Sequence, residues 1–410
     1  MKLSVIAFRN ISRNTRRSIL SGTAIAVAAM SIVILFSLIA GMRADFRSNL
    51  VRYITGDIRL RTAEYDENAH LFPLGEAMIN AGTLVEELDQ VQGVTAVSPR
   101  VQFPTAIYQE GRTSNALGFG MDFENEEEYQ NIGDYIIEGR LPEAGENETI
   151  LGQGLSNELG LSVGDSFTIL SRTRGRGTNA ITLHITGLIN FTTAGMGNRT
   201  FLAPLDRIQY FLRMPDTATE ILVRVDDPEN SQAVETRIES LIAQQGRDEI
   251  QARRLEDISE MFGFMELAQQ IYNFIALVFF ILASTVIVNT TMMVIYERYR
   301  EIGTIAAMGM TGGEIVRLFF IEAFYIGLIG SAIGVLLGIG ITIPLSIFGI
   351  DLTAAMEGID IEMSGTIKTQ LSWYSTVVVF LYSTVIASIA SLLPSRRAAK
   401  VEPVEALRSV

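Results

Sequence analysis

The chain has 410 residues, 46 acidic against 32 basic, a net charge of −14 and no cysteine. These numbers exclude a disulfide framework, a thiolate nucleophile and any Cys-ligated zinc or iron–sulfur centre, and two histidines, His70 and His184, leave little for a His-rich metal site. Charged residues are 19% of the chain, below the roughly 25% of soluble proteins, and a net acidic chain is no obvious nucleic-acid binder, so composition points to a membrane protein with a soluble part.

Residues 1–17 carry five basic residues (Lys2, Arg9, Arg13, Arg16, Arg17) and no acid. Ser18 to Met42 then runs 25 residues without a charge. A signal-peptide core is shorter, roughly 7–15 residues, so this run (18–42) reads as a retained transmembrane helix. Three more uncharged runs follow, Leu267 to Tyr296, Ala323 to Ile350 and Leu371 to Ser395. Each exceeds the ~20 residues that a helix needs to cross a hydrocarbon core. The expected spans are 267–296, 314–350 and 371–395, with Glu322 tolerated inside the third, either snorkelling to the cytoplasmic interface or pairing with Arg317 or another neighbour. Residues 1–17, the 297–317 loop and the 396–410 tail together hold 12 basic against 5 acidic residues. That bias puts both termini in the cytoplasm.

Residues 43–266 are then extracytoplasmic, with 19 basic and 36 acidic residues. Their texture is α+β, in two expected lobes that divide near 100–120 and again near 215–225. Asp57 to Thr62 alternates as a strand. A helix is expected from Thr83, with Thr83 and Glu86 as a capping box. Val94 to Val97 restarts a strand that ends at Pro99. Leu161 to Leu170 and Ile181 to Ile189 give further strands, and Ser231 to Gln244 has helical spacing. Glu124, Glu126, Glu127 and Glu128 read as a solvated face, and His184 as structural. Arg172 to Asn179, with Arg172, Arg174 and Arg176, links two strands; it is either a solvated hairpin tip or a protein-docking finger.

Residues 297–313 form the most informative stretch. Arg298 and Arg300 mark the membrane exit, Glu297 and Glu301 sit one turn apart, and Ile302, Ile305 and Ala306 make a short apolar stripe facing a partner or the bilayer surface. Gly303 lies within this helix and Gly309 ends it. A short helix shown to the cytoplasm between two spans has the form of a lever. The loop resembles the "ERxREIGxLxALGxxxxxI" stretch of FtsX/MacB/LolC-LolE-type ABC transporter permeases (type VII). The tail Pro394 to Arg408 resembles that family's ending, "PxRRAAxxxPxEALR", Phe8-Arg9-Asn10 resembles its leading helix, and Gly41 to Ile58 resembles the lipoprotein-releasing LolC/LolE branch.

The resemblance implies an α-helical membrane protein with four transmembrane helices and a large α+β extracytoplasmic domain, MacB-like periplasmic core in type, between helices 1 and 2. It implies an inner-membrane, non-catalytic permease subunit that binds no cofactor. No G-x-x-x-x-G-K-[ST] occurs in these residues, so ATP and magnesium would be used by a pair of partner ATPases. It implies a second permease subunit, the same chain or a homologue. By resemblance Glu297 to Gly309 is the coupling helix that seats on the ATPase. Val33, Phe36 and Ala40 on span 1, Phe46 just outside it, and Phe264, Ala268, Ile271 and Ile275 on span 2 would line a cavity for acyl chains; lipid-facing helices contain the same residue types. The glycines Gly330, Gly334 and Gly338 of span 3 make a small-residue face for helix packing. The Arg172–Thr178 loop would correspond to the hook that holds a periplasmic carrier. The activity so implied is lipoprotein release, with efflux of peptides or antibiotics and activation of a cell-wall hydrolase as the family's other uses.

Overall fold

The computed structural model describes residues 7, 9–11, 13, 15–109, 112–191, 194–258, 260–351 and 366–400, without the side chains of residues 17, 112, 194–195, 260–266, 268 and 351. The loop 352–365 and the tail from Val401 lie outside the described residues. The chain divides into two compact units: a membrane unit (Met1–Ala44, Phe264–Asp351 and Thr366–Val410) and an outer unit built on Asp45–Gly263.

Among the described residues, four helices are long and apolar enough to cross a membrane: Ser18–Thr55, Gln269–Glu297, Gly312–Phe348 and Trp373–Ala398. All four spans contribute to one core, with Ala29, Ile32 and Val33 packed against Ala276 and Phe280, Val335, and Val379. Close approach of span 3 to span 1 depends on glycine. A Cβ on Gly330 would meet the Gly22 carbonyl oxygen at 2.7 Å, and one on Gly334 the Ala26 carbonyl oxygen at 2.3 Å. Hydroxyl pairs add hydrogen bonds inside the bundle: Ser21 with Thr290 at 2.6 Å and Ser331 with Thr384 at 2.8 Å. In the segment before span 4, the Gln370 amide donates to Ser37 O and the Thr369 hydroxyl to Thr342 O, both at 2.9 Å.

The first helix runs from Thr15 to Asn49 and continues as a π-helical turn over Leu50–Thr55. Arg43 ends the uncharged run, but no glycine or proline interrupts the backbone before Gly56, at φ +64°. Apolar length and helix length are therefore different quantities here.

The outer unit contains, in chain order, β1 (Ile58–Thr62), α1 (Ala81–Asp89), β2 (Val94–Gln109), β3 (Arg112–Met121), α2 (Phe123–Gln130), β4 (Ile136–Gly139), β5 (Glu148–Gly152), β6 (Ser166–Arg172), β7 (Thr178–Ile189), β8 (Thr200–Pro204), α3 (Leu205–Leu212), β9 (Glu220–Val225), α4 (Ser231–Gln244) and β10 (Ile250–Arg254). The strand order is β10-β1-β9-β2-β3-β8-β5-β7-β4, and β6 pairs with both β2 and β7. The last pairings close β2, β3, β8, β5, β7 and β6 into a ring. One core fills it, with Val101, Phe103, Phe167, Leu183 and Phe201, and α3 lies on it through Ile208 and Phe211. Gly118 faces Phe103 in register, where a Cβ would come within 2.4 Å of the ring. The other core packs α1 and α4 on β1 and β9 through Leu84, Leu88, Val234, Ile238, Ile58 and Val223. The long strand β2 serves both cores.

Two local expectations fail. The helix expected from Thr83 begins at Ala81, because Asp216, distant in sequence, accepts from the Ala81 and Gly82 amides at 3.1 and 2.8 Å. That residue takes the capping role assigned to Thr83. The strand from Val94 does not stop at Pro99. There β2 is paired with β9 on one side, and pairing with β3 starts only at Arg100, so the missing N–H costs the sheet little.

Candidate functional site

The helix of span 2 ends at Glu297, and Arg298 leads directly into α5 (Tyr299–Ala307). Gly309 at φ +103° terminates α5. Its amide donates to Ala306 O at 3.0 Å and the Met310 amide to Ile305 O at 3.2 Å, the paired bonds of a Schellman ending. Thr311 then caps the helix of span 3 in a capping box with Glu314. The short helix is thus sharply bounded at its C-terminal end and set between two spans.

Its faces differ from the sequence expectation. Ile302 is buried with Val294, Ile295, Ile315, Phe319 and Ala398 of its own unit, Gly303 is buried, and Ile305 and Ala306 are half-buried. Ile302, with Ala306 packed on the same cluster, anchors the helix to its own bundle. The side turned outward carries Glu297, Arg300, Glu301, Thr304 and Ala307, flanked by Tyr296 (68% exposed) and Met308 (76%). Tyr296 and Met308 put an apolar side chain at each end of this polar surface, a pattern the stripe of Ile302, Ile305 and Ala306 does not include.

A polar chain ties this helix to the N-terminal residues. Arg298 donates to Glu301 at 2.7 Å and to Asn10 Oδ1 at 3.2 Å, and Arg13 pairs with Glu301 at 2.6 Å. The hydrogen bond from Arg298, opposed by partial burial and supported by Arg13, holds the Glu301 carboxyl below its ordinary value. Glu322 neither snorkels nor pairs with Arg317, which is exposed. It is 7% exposed, and its Oε2 has no hydrogen-bond partner among the described residues. It lines a cavity of about 40 Å³ with Ser18, Ser21, Thr290 and Thr291, which is room for water between hydroxyls.

The residues expected to line an acyl-chain cavity are not in one environment. Val33 is 2% exposed and lies under Gly338, whose Cβ would meet it at 2.9 Å; it belongs to the seam between spans 1 and 3. Phe36 packs on the bundle core, and Ala40 and Ile275 are half-buried. Ile271 is 51% exposed, with Phe274 beside it at 65%. Phe46 is 2% exposed. The side chains of Phe264 and Ala268 lie outside the described residues.

The basic loop is the tip of the β6–β7 hairpin. Arg172 and Arg176 are exposed and Arg174 half-buried. The tip is braced: the Arg174 amide donates to Leu212 O at 3.0 Å, and the Asn179 side chain to Phe211 O at 2.8 Å. It borders a groove of about 520 Å³, lined also by Leu71, Phe72, Pro104 and Leu170.

Residues 18–241 match the MacB-like periplasmic core domain family, and residues 273–403 match the FtsX-like permease C-terminal family. The chain is 26% identical to the lipoprotein-releasing system transmembrane protein LolE of Haemophilus influenzae, over 80% of each chain. It is 21% identical to the corresponding LolC of Neisseria meningitidis, over 94% of this chain and 92% of that one. It is 26% identical to the macrolide export ATP-binding/permease protein MacB of Acinetobacter baylyi, over 56% of this chain and 33% of that longer one. A helix leading into a MacB-like outer domain, followed by three spans with a short helix between the first two of them, is matched in order along the sequence, and the chain belongs to the FtsX-like ABC transporter permeases that carry a MacB-like periplasmic core domain.

Proposed function

We propose that this chain is the permease subunit of an ATP-driven complex in the cytoplasmic membrane, with both termini in the cytoplasm, that extracts lipoproteins from the outer leaflet and passes them to a periplasmic carrier. The observation that carries the reading is α5. It is held to spans 2 and 3 through Ile302 and leaves Arg300, Thr304 and Met308 exposed beside it. A separate ATPase subunit seats on that face, and closure of two such ATPases pushes α5 and the spans attached to it. The first helix, which runs without a break into the outer unit's sequence as far as Thr55, carries the motion outward. ATP and magnesium belong to the ATPases, and a second permease subunit completes the complex. Similarity to LolE and LolC over most of each chain favours lipoprotein as the load. The exposed apolar Ile271 and Phe274 on span 2 suit an acyl chain, and the braced tip with Arg172, Arg174 and Arg176 suits an acidic face of a carrier.

The test is to purify the complex from its native membrane in mild detergent and identify by mass spectrometry what accompanies it. An ATPase together with acylated lipoproteins is the expected result. An ATPase with a macrolide-type efflux duct or a cell-wall hydrolase, and no lipoprotein, would replace the load while keeping the lever.

A further inference from the structure

The end of the first helix is held by side chains from elsewhere in the outer unit. Tyr129 of α2 donates to Val51 O at 2.6 Å. Arg100 of β2 donates through Nη2 to Arg52 O at 2.9 Å and through Nη1 to Tyr53 O at 3.0 Å. These are consecutive carbonyls of the π-helical last turn, in the part of a helix that lacks intrahelical partners for its carbonyls. Such carbonyls are commonly met by a following glycine, by water or by an exposed cation. Here both donors are fully buried.

The donors are themselves fixed. Glu126 receives Arg100 Nε at 2.7 Å and Nη2 at 2.9 Å, and also accepts from Ser98 and Gln130. Glu126 is 0% exposed, which corrects the reading of Glu124–Glu128 as a wholly solvated face. Burial alone would lower the Arg100 guanidinium; Glu126 offsets this and holds it above its ordinary value. Burial pushes the Tyr129 phenol up, so it stays a donor. Arg224 of β9 donates to Tyr129 O at 2.5 Å. Beyond Gly56, Asp57 accepts from Arg47 and from the Val225 amide, both at 3.2 Å.

A buried ion pair is a weak source of stability, because desolvation takes back much of its attraction, and packed hydrophobic residues commonly serve as well. What Arg100 supplies and a hydrophobic residue cannot is a directional hold on another segment's backbone. An unheld helix end frays because its last carbonyls lack intrahelical partners, and a tilt would dissipate there. Opening this end means breaking three bonds together and stranding a buried cation. We propose that Arg100 and Tyr129 are positioning residues that form a stiff joint, through which movement of the first helix drives the outer domain. The joint rests on the lever reading above but not on the identity of the load.

The full-length complex with its ATPase tests this. This sequence has no cysteine, so labels on it report only introduced sites, and the partner subunits are used with their own cysteines replaced. A label pair at S48C and S240C, both exposed positions of the outer unit, reads the stiffness of the joint. A pair at S240C and Y374C reads movement driven by ATP. The wild type is expected to give a narrow S48C–S240C distance distribution and an ATP-dependent change in the second pair. Arg100→Lys with Tyr129→Phe should at least double the width and remove more than half of the change, while ATP hydrolysis stays within twofold. Should the double variant fail to fold, Tyr129→Phe alone carries the test. Thr149→Val is the control: it removes a buried hydroxyl's bond to Leu202 O (2.8 Å) away from the joint. Variants that keep the wild-type width and movement overturn the joint and leave the lever standing. The same loss in the Thr149→Val control overturns the joint as well. A wild type that does not move with ATP overturns both the lever and the joint.

Discussion

The two ends of the first helix are tied down by opposite means. At the amino-terminal end the tie is Arg13 with Glu301, side chains 65% and 46% exposed. At the outer end it is Arg100 with Glu126, both 0% exposed, and three bonds to backbone carbonyls. An exposed ion pair is worth between nothing and about 1 kcal/mol and is screened by salt. Removing one partner of a buried pair costs several times more. The first tie is open to solvent and salt; the outer tie is part of the domain's core. One helix thus has a solvent-exposed tie near its start and a buried tie at its end.

Substitutions can break this contrast in order of expected size. Arg100→Met leaves the Glu126 carboxylate buried without its cation and should destabilise the outer domain by about 3–5 kcal/mol, read as a lowered melting temperature of the full chain. A domain as stable as wild type would show the outer tie to be dispensable. Gly334→Val should separate spans 1 and 3, because the added Cβ meets the Ala26 carbonyl at 2.3 Å; the readout is the yield of folded protein in detergent, expected to collapse. Met308→Asp should leave folding intact, since the side chain is 76% exposed, and weaken ATPase co-purification by roughly tenfold, the scale of one lost interface anchor of about 1.4 kcal/mol. Unchanged co-purification would move the ATPase contact off this face.

Glu301→Gln should have the smallest effect, under ~1 kcal/mol. The Glu301 carboxyl is held below its ordinary value, so its contribution is complete above the unfolded pKa of roughly 4.3 and is lost as pH falls through the lower folded value. The melting difference between wild type and Glu301→Gln should therefore be flat from about pH 8 to 5 and close below about 4. A difference that changes between pH 8 and 5 would assign the linkage to another group.

The parts that were legible in the sequence are those set by long runs or by a local motif. Four apolar stretches became four spanning helices, and Ser231–Gln244 forms a helix with Val234, Ile238 and Ile242 inward. The Gly309 ending was legible because a left-handed stop is local. What escaped was set by partners far along the chain. Asp216 moved a helix start from Thr83 to Ala81. Arg100 drew Glu126 out of a run of acids that reads as solvated. Ile302 turned inward because Ile315, Phe319 and Ala398 are there to meet it, while periodicity shows a stripe and not which surface receives it. The joint has no sequence signature, since its acceptors are backbone carbonyls.

The closed ring of strands also bears on how this protein lives among its neighbours. A strand edge is a template for annealing to another chain, and closure removes edges from the ring. One edge outside the ring is β10, whose Arg253 and Arg254 put charge on it. The other end of the sheet is β4, only four residues long and paired on one side by β7, so the edges that remain are short. Resistance to annealing along a strand edge, as much as shape, is built into the outer domain.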